Sequence, residues 1–319
     1  ELVMLFNILL LIVGFIILIK GADVFVESSS SLASHFKLSK MLIGLTIVSF
    51  GTSAPEFAVS IKSLLNGSGD IVLGNVIGSN IINILLILGI CSIIHPLNVK
   101  NATVKKELPI TLLITTLLIV TMSDSLFDKS PNAFTRSDGI ILLLFFLVFI
   151  YYLISMMRNK TDKGESIPKY SVLKSILFTI LGIGCIIVGS SLVVDSASFI
   201  AKHLGVSERL ISLTIIALGT SLPELVTSIV ATIKGEYDIA IGNVVGSNVF
   251  NIGIVLGLPI ALFGGIAKIS FSYIDLIVMF LAAFFLFIFS YNDYKLKKNE
   301  GIILLIIFVI YYSYIILGG

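Results

Sequence analysis

The sequence predicts an all-α membrane protein of ten transmembrane helices, arranged as two inverted five-helix repeats. Three observations lead there. Of 319 residues, 57% are hydrophobic and only 13% charged, against roughly 25% charged in a soluble domain, so lipid must solvate much of the chain. The apolar residues fall into ten long runs. Two polar motifs set inside those runs recur at one constant spacing.

A span needs about 20 mostly apolar residues. The ten candidates are 2–20 (apolar to about 34), 40–65, 70–95, 107–123, 137–157, 172–202, 206–233, 239–264, 271–290 and 300–317. The run from Leu2 to Ile19 is too long for a signal-peptide core and has neither a basic start nor a small-residue cleavage site, so it reads as the first span. Apolar character exceeds one membrane thickness around Leu2–Phe36 and Leu173–Leu204, each with a matched acid, Glu27 and Asp195. Long, tilted helices fit that pattern. The longest polar connection, Arg158 to Ser171, is a loop with no room for a soluble module. The expected organisation is therefore a first repeat over 1–157, a cytoplasmic linker over 158–171 and an inverted second repeat over 172–319.

Basic residues orient the spans. With the N-terminus outside, fourteen lysines and arginines face the cytoplasm, among them Lys37, Lys40, Lys100, Lys160, Lys163, Lys169, Lys234 and Lys295. Six face outward: Lys62, Lys129, Arg136, Lys202, Arg209 and Lys268. The bias places both termini outside a cell membrane. No basic cluster suggests nucleic acid. Cys91 and Cys185 lie in apolar runs and read as packed core thiols, and no Cys/His cluster supports zinc.

The repeat fixes the architecture. Gly51-Thr-Ser-Ala-Pro-Glu56 returns as Gly219-Thr-Ser-Leu-Pro-Glu224, 168 positions on. Gly74-Asn-Val-Ile-Gly-Ser-Asn80 returns as Gly242-Asn-Val-Val-Gly-Ser-Asn248 at the same offset, and Asn83 maps onto Asn251. Five spans separate the copies, and an odd number inverts the second half. Inverted repeats are a transporter design with ion sites near the midplane.

Glu56 and Glu224 are embedded in apolar spans with no lysine or arginine in the helices around them. An ionised carboxylate at the membrane centre costs about 3 kcal/mol on insertion scales. Bound cations are the natural counter-charge; a protonated, hydrogen-bonded glutamate is the other reading. Thr52 and Glu56 are four residues apart and share a helix face, as do Thr220 and Glu224. Pro55 and Pro223 free the carbonyls of Gly51 and Gly219. Ser53 and Ser221 add hydroxyls. Asn75, Ser79 and Asn83 form a polar stripe, copied as Asn243, Ser247 and Asn251, which also suits interhelical hydrogen bonding. Gly74, Gly78, Gly242 and Gly246 read as packing positions. Every candidate ligand is an oxygen, which suits hard cations such as calcium and sodium, whereas magnesium dehydrates reluctantly.

These paired motifs, 51–56 with 74–83 and 219–224 with 242–251, resemble the two alpha-repeats of the sodium/calcium exchanger family. The resemblance covers the whole chain and is similar to the compact prokaryotic members. It implies sodium/calcium exchange by alternating access, with the first helix of each half sliding against the core. It implies calcium ligation by Glu56, Glu224, Thr52 and Thr220, and sodium contacts from Ser53, Ser79, Ser221, Ser247 and the carbonyls of Ser49 and Ala217. Asn83 and Asn251 complete the candidate set. The large regulatory domain of animal exchangers is absent between spans five and six. Potassium-dependent relatives carry aspartate at the position of Asn251. Cation/proton exchangers of the superfamily lack the proline before the glutamate, which both motifs here have.

The chain is expected to act alone in the bilayer, as a transporter with no cofactor and with calcium and sodium as transported ions. The rival transport reading is a proton- or potassium-coupled calcium antiporter. A cation channel usually gathers identical rings from several subunits, and an intramembrane enzyme finds no nucleophile–base–histidine set here.

Overall fold

The computed structural model describes residues 2–127, 131–158, 167–206, 211, 214–215, 217–266 and 272–317. The elements that place the site are α1 (Leu2–Phe36), α2 (Lys40–Thr52), α3 (Ala54–Leu65), α4 (Gly69–Ile94), α5 (Leu108–Thr121), α6 (Arg136–Arg158), α7 (Val172–His203), α8 (Leu222–Ile233), α9 (Tyr237–Phe263), α10 (Tyr273–Asp293) and α11 (Lys298–Leu317). Among the described residues seven helices are long and apolar enough to cross a membrane, or eight if α2 and α3, bent by 46°, make one span. The chain is thus an all-helical, multi-pass membrane protein. Two expected spans are not among them. In the run 107–123, α5 follows directly on π-helical turns over Thr103–Glu107. The run 206–233 holds the 12-residue α8, and its residues 207–210, 212, 213 and 216 lie outside the described set. Also outside it are Lys129, Lys160, Lys163, Arg209 and Lys268 of the charge count, and residues 159–166 of the linker.

The first helix of each half is long, as the apolar runs require. α1 has 35 residues and α7 has 32. At 1.5 Å per residue α1 spans about 52 Å, well beyond a hydrocarbon core of about 30 Å. The two helices pack against each other: Gly14 meets Leu192, Leu18 meets Gly189, Gly21 meets Cys185, and Phe25 meets Gly182. Residue numbers rise on one helix as they fall on the other, so the pair is antiparallel. A Cβ on Gly189 would lie 2.6 Å from the Leu18 backbone nitrogen, so only glycine permits this approach. Large apolar residues on the outer faces of α1, α6, α7 and α11 are exposed, as lipid contact demands.

α4 and α9 form the buried centre. Val72, Val76, Ile77, Val244, Val245 and Val249 are all inaccessible or nearly so. Each helix widens into π-helical turns at the end of its polar stripe, over Ile82–Leu88 and Asn251–Leu256. The packing role read for the glycines holds for Gly242, whose Cβ would meet Gly44 Cα at 2.9 Å, and for Gly246, packed on Leu45 and Ser49. For Gly78, a Cβ would meet nothing within 4 Å among the described residues. Cys91 is buried as expected, but Cys185 is exposed, although its Cβ lies beside Gly21 of α1.

The connections report which ends share a membrane face. At one end, Leu97–Asn98 pairs antiparallel with Lys295–Leu296, His95 stacks on Tyr237 with ring centroids 4.8 Å apart, and Lys100 pairs with Asp238 at 2.9 Å. At the other, Phe134 bridges Ile266, and Gly69 abuts Ile266. α4 therefore starts where α9 ends, and α9 starts where α4 ends. The hairpin α3–α4 and its sequence copy α8–α9 point in opposite directions through the molecule. Ion pairs gather at the first end: Lys234 bridges Asp23 and Glu27, Lys169 also holds Glu27, and Lys40 pairs with Glu236, each at 2.7 Å.

The glycine seam gives a direct test. Gly189→Leu should push α7 off α1 and lower the melting temperature of the purified protein, since overpacking costs about 1–3 kcal/mol. Gly184→Leu, on the exposed face of the same helix where a Cβ meets nothing within 4 Å among the described residues, should leave it unchanged. Equal melting of the two variants would show that the seam does not constrain the pair.

Candidate functional site

Both glutamates sit at helix breaks. The chain leaves α2 at Ser53 and begins α3 at Ala54, with Pro55 and Glu56 in the first turn. Proline fits there because a first-turn N–H has no intrahelical acceptor to lose. The copy is the same: a short helical turn Ala217–Gly219, then Ser221, then α8 with Pro223 and Glu224 in its first turn. Each carboxylate lies at a helix N-terminus, where unpaired N–H groups and the helix dipole favour negative charge. Both side chains are wholly buried, at 0% exposure.

The two motifs hold each other crosswise. Ser53 donates to Glu224 Oε1 at 2.8 Å and lies 3.0 Å from the Ser247 hydroxyl. Ser221 reaches Glu56 Oε1 at 3.5 Å and lies 3.1 Å from the Ser79 hydroxyl. Thr52 donates to Asn243 Oδ1 at 3.0 Å, and Thr220 to Asn75 Oδ1 at 3.5 Å. Each serine and threonine of one motif thus reaches the opposite half. Asn75 and Asn243 then brace their own halves: Asn75 Nδ2 donates to the Glu56 carbonyl at 3.0 Å and to Ser60, and Asn243 Nδ2 to the Glu224 carbonyl at 3.4 Å and to Ser228.

The structure therefore groups Thr52, Ser53, Glu224 and Ser247 in one hydrogen-bonded cluster through Asn243, and Thr220, Ser221, Glu56 and Ser79 in its copy through Asn75. Asn83 and Asn251 lie within the adjacent π-helical turns, buried, and bond to Asn248 and Asn80. Ser49 is buried, but its carbonyl already accepts from Ser53 N at 3.0 Å and from Thr52 Oγ1 at 3.4 Å. The Ala217 backbone opens the short turn before Ser221. Ser60 and Ser228 were not singled out from the sequence. They are four residues beyond the glutamates and recur at the same offset of 168, a signal that could have found them.

Four buried oxygens in this cluster have no hydrogen-bond partner: Glu56 Oε2, Glu224 Oε2, Asn83 Oδ1 and Asn251 Oδ1. Among the described residues neither glutamate has an ion-pair partner; the ion pairs sit near the helix ends. Unpaired acceptors facing hydroxyls and amides form a chemistry that fits a hard cation, because cations take oxygen lone pairs and hydrogen-bond donors do not compete for those atoms.

Acid-bearing broken helices at the centre of a multi-pass bundle define a membrane transporter. The chain belongs to the sodium/calcium exchanger protein family, whose model matches residues 6–155 and 174–317. It is 37% identical over 311 residues to the putative antiporter CaxA of Alkalimonas amylolytica, covering 94% of this chain and 95% of that one. It is 30% identical over 338 residues to the sodium/calcium exchanger MaX1 of Methanosarcina acetivorans, covering 95% and 96%. A solved structure of the sodium-calcium exchanger NCX_Mj, soaked with sodium and calcium, superposes with a TM-score of 0.83 at 31% identity, covering 97% of this chain and 98% of that one.

The crosswise bonds predict unequal couplings. In a double-mutant cycle read by thermal unfolding, Ser53→Ala with Glu224→Gln should show the larger interaction energy, about 1–3 kcal/mol for a buried bond to a charged group. Ser221→Ala with Glu56→Gln, across the 3.5 Å contact, should show less. Strictly additive effects for the first pair would remove the cross-brace.

Proposed function

We propose that this chain is a secondary active antiporter that exchanges sodium for calcium by alternating access. It does so through ten spans organised as two inverted five-helix repeats, 1–157 and 172–319, joined by a cytoplasmic linker over 158–171. It works as a single chain in the cell membrane with both termini outside, the orientation its basic residues favour. Opposed hairpins α3–α4 and α8–α9 support the inversion, as does the match of the family model in two blocks on either side of the linker.

One observation carries the reading. Two wholly buried carboxylates face each other's serines, and among the described residues neither has a basic partner and each keeps an oxygen without a hydrogen bond. Cations are the charge that balances them. Glu56 and Glu224 with Thr52 and Thr220 would ligate calcium. Ser53, Ser79, Ser221, Ser247 and the carbonyls of Ser49 and Ala217 would serve sodium, and the side-chain oxygens of Asn83 and Asn251 complete the set for either ion. Two carboxylates neutralise one calcium ion fully or about two sodium ions. One set of ligands serves either load but not both, and that competition is the basis of exchange.

Calcium uptake into proteoliposomes should require an outward sodium gradient and persist when only the proton gradient is collapsed. Glu56→Gln and Glu224→Gln should each abolish it, since each removes half the counter-charge. Near-normal flux in either variant would end the shared-site reading, and uptake driven by protons without sodium would favour the proton-coupled alternative. Replacing potassium by an inert organic cation should change nothing. Asn251 is a neutral amide, and a further cation would add uncompensated charge in a poorly screened interior. Asn251→Asp should be the change that introduces a potassium effect.

A further inference from the structure

Asn80 and Asn248 close the two Gly-Asn-Val-x-Gly-Ser-Asn motifs. They stand outside the candidate ligand set, and both are buried, at 1% and 2% exposure. Their contacts cross between α4 and α9. Asn83 Nδ2 donates to Asn248 Oδ1 at 2.9 Å, and Asn251 Nδ2 donates to Asn80 Oδ1 at 3.3 Å. Asn248 Nδ2 in turn donates to the Asn80 main-chain carbonyl at 3.3 Å.

An asparagine amide has a donor end and an acceptor end, and a cation can use only the acceptor. The two ends have nearly the same shape, so packing alone does not choose between them. In Asn83 and Asn251 the donor end is tied down, and the oxygen left over is buried without a partner. A half-turn of either amide would put an NH2 group where that oxygen stands and repel a positive ion.

We infer that Asn80 and Asn248 are positioning residues: each fixes, across the helix pair, which way the amide of Asn251 or Asn83 faces, so that both carbonyl oxygens are presented to the transported cation. This rests on the proposed cation site. It assigns roles that differ from ligation. Asn80 acts through acceptors alone, at Oδ1 and its main-chain carbonyl, while its own Nδ2 is unpartnered. An aspartate can replace it in that task, and a leucine of similar size cannot.

The test is calcium binding to the purified full chain, read as the half-saturating calcium for uptake and as the rise in melting temperature on adding calcium. Asn80→Leu and Asn248→Leu should raise half-saturating calcium about ten-fold, the scale of one good polar contact to a charged group. Asn80→Asp should retain the affinity. A packing role alone gives the reverse order, because a buried carboxylate disturbs an apolar helix contact more than leucine does. Wild-type binding by Asn80→Leu, or weaker binding by Asn80→Asp than by Asn80→Leu, would overturn the assignment. If Asn80→Leu does not fold, Asn80→Ala removes the same acceptor without adding bulk and carries the same expectation. Asn83→Ala separates the two levels. If it binds calcium normally, the site reading itself fails. If it binds weakly while Asn248→Leu binds normally, only the positioning role fails.

Discussion

Two carboxylates without a basic partner, buried in the middle of an apolar molecule, are the constraint on which the rest of the structure depends. Burying an ionised group without compensation is prohibitive, and a conventional salt bridge is not the solution used here. The protein instead surrounds Glu56 and Glu224 with neutral polar groups. Helix N-termini supply dipoles, serines from the opposite half supply hydroxyls, and asparagines brace the main-chain carbonyls. Such an environment tolerates negative charge without cancelling it. A lysine in the same place would satisfy the carboxylates permanently and leave nothing for an ion to do.

The breaks in the helices follow from that requirement. A continuous helix through residues 49–65 would bury its own backbone polar groups and offer none to a ligand. Proline in the first turn of α3 and of α8 follows the end of the preceding helix, at Thr52 and at Gly219, and sits at the N-terminus that the glutamate occupies. Irregular backbone at this depth is stable only where protein or an aqueous cavity meets it. Here α4 and α9 cover it, and Gly242 and Gly246 let α2 approach α9 closely enough to do so. The long antiparallel pair α1 and α7 lies along this core on a seam of glycines, with its outer faces apolar.

Much of this was legible because duplication doubles every signal. One glutamate in an apolar run is ambiguous, whereas two at a constant offset with the same neighbours are not. The ligand candidates, the broken motifs and most helix edges followed from that. What the pattern could not give is which half each side chain touches. Ser53 reads as a neighbour of Glu56 but binds Glu224, because the helix break turns it toward the other repeat. Asn80 and Asn248 looked like motif ends, since sequence does not show which end of an amide is engaged. A further pair of acids at the same offset, Glu107 and Asp275, escaped because neither lies in the repeated motifs. The structure buries Glu107 and half-buries Asp275, each against a tyrosine: Tyr152 for Glu107, and Tyr311 at 2.8 Å for Asp275. The strand pair at Leu97 and Leu296 is too short to leave any periodicity.

The duplication is faithful in the core and incomplete at the ends of the helices, and the difference has a physical consequence. Lys234 and Glu236 fasten the turn between α8 and α9 to α1 and α2 through Asp23, Glu27 and Lys40. The residues at the corresponding positions of the first half are Asn66 and Ser68. Neither can make an ion pair, so the opposite face lacks this tie at those positions. Partly exposed pairs are each worth about 1 kcal/mol or less, but here one lysine engages two acids on the same helix. A core whose two halves bond alike cannot by itself distinguish the faces of the membrane. A charged fastening present on one face and absent at the matching place on the other does, and it acts on α1, one of the two long helices that lie along the site.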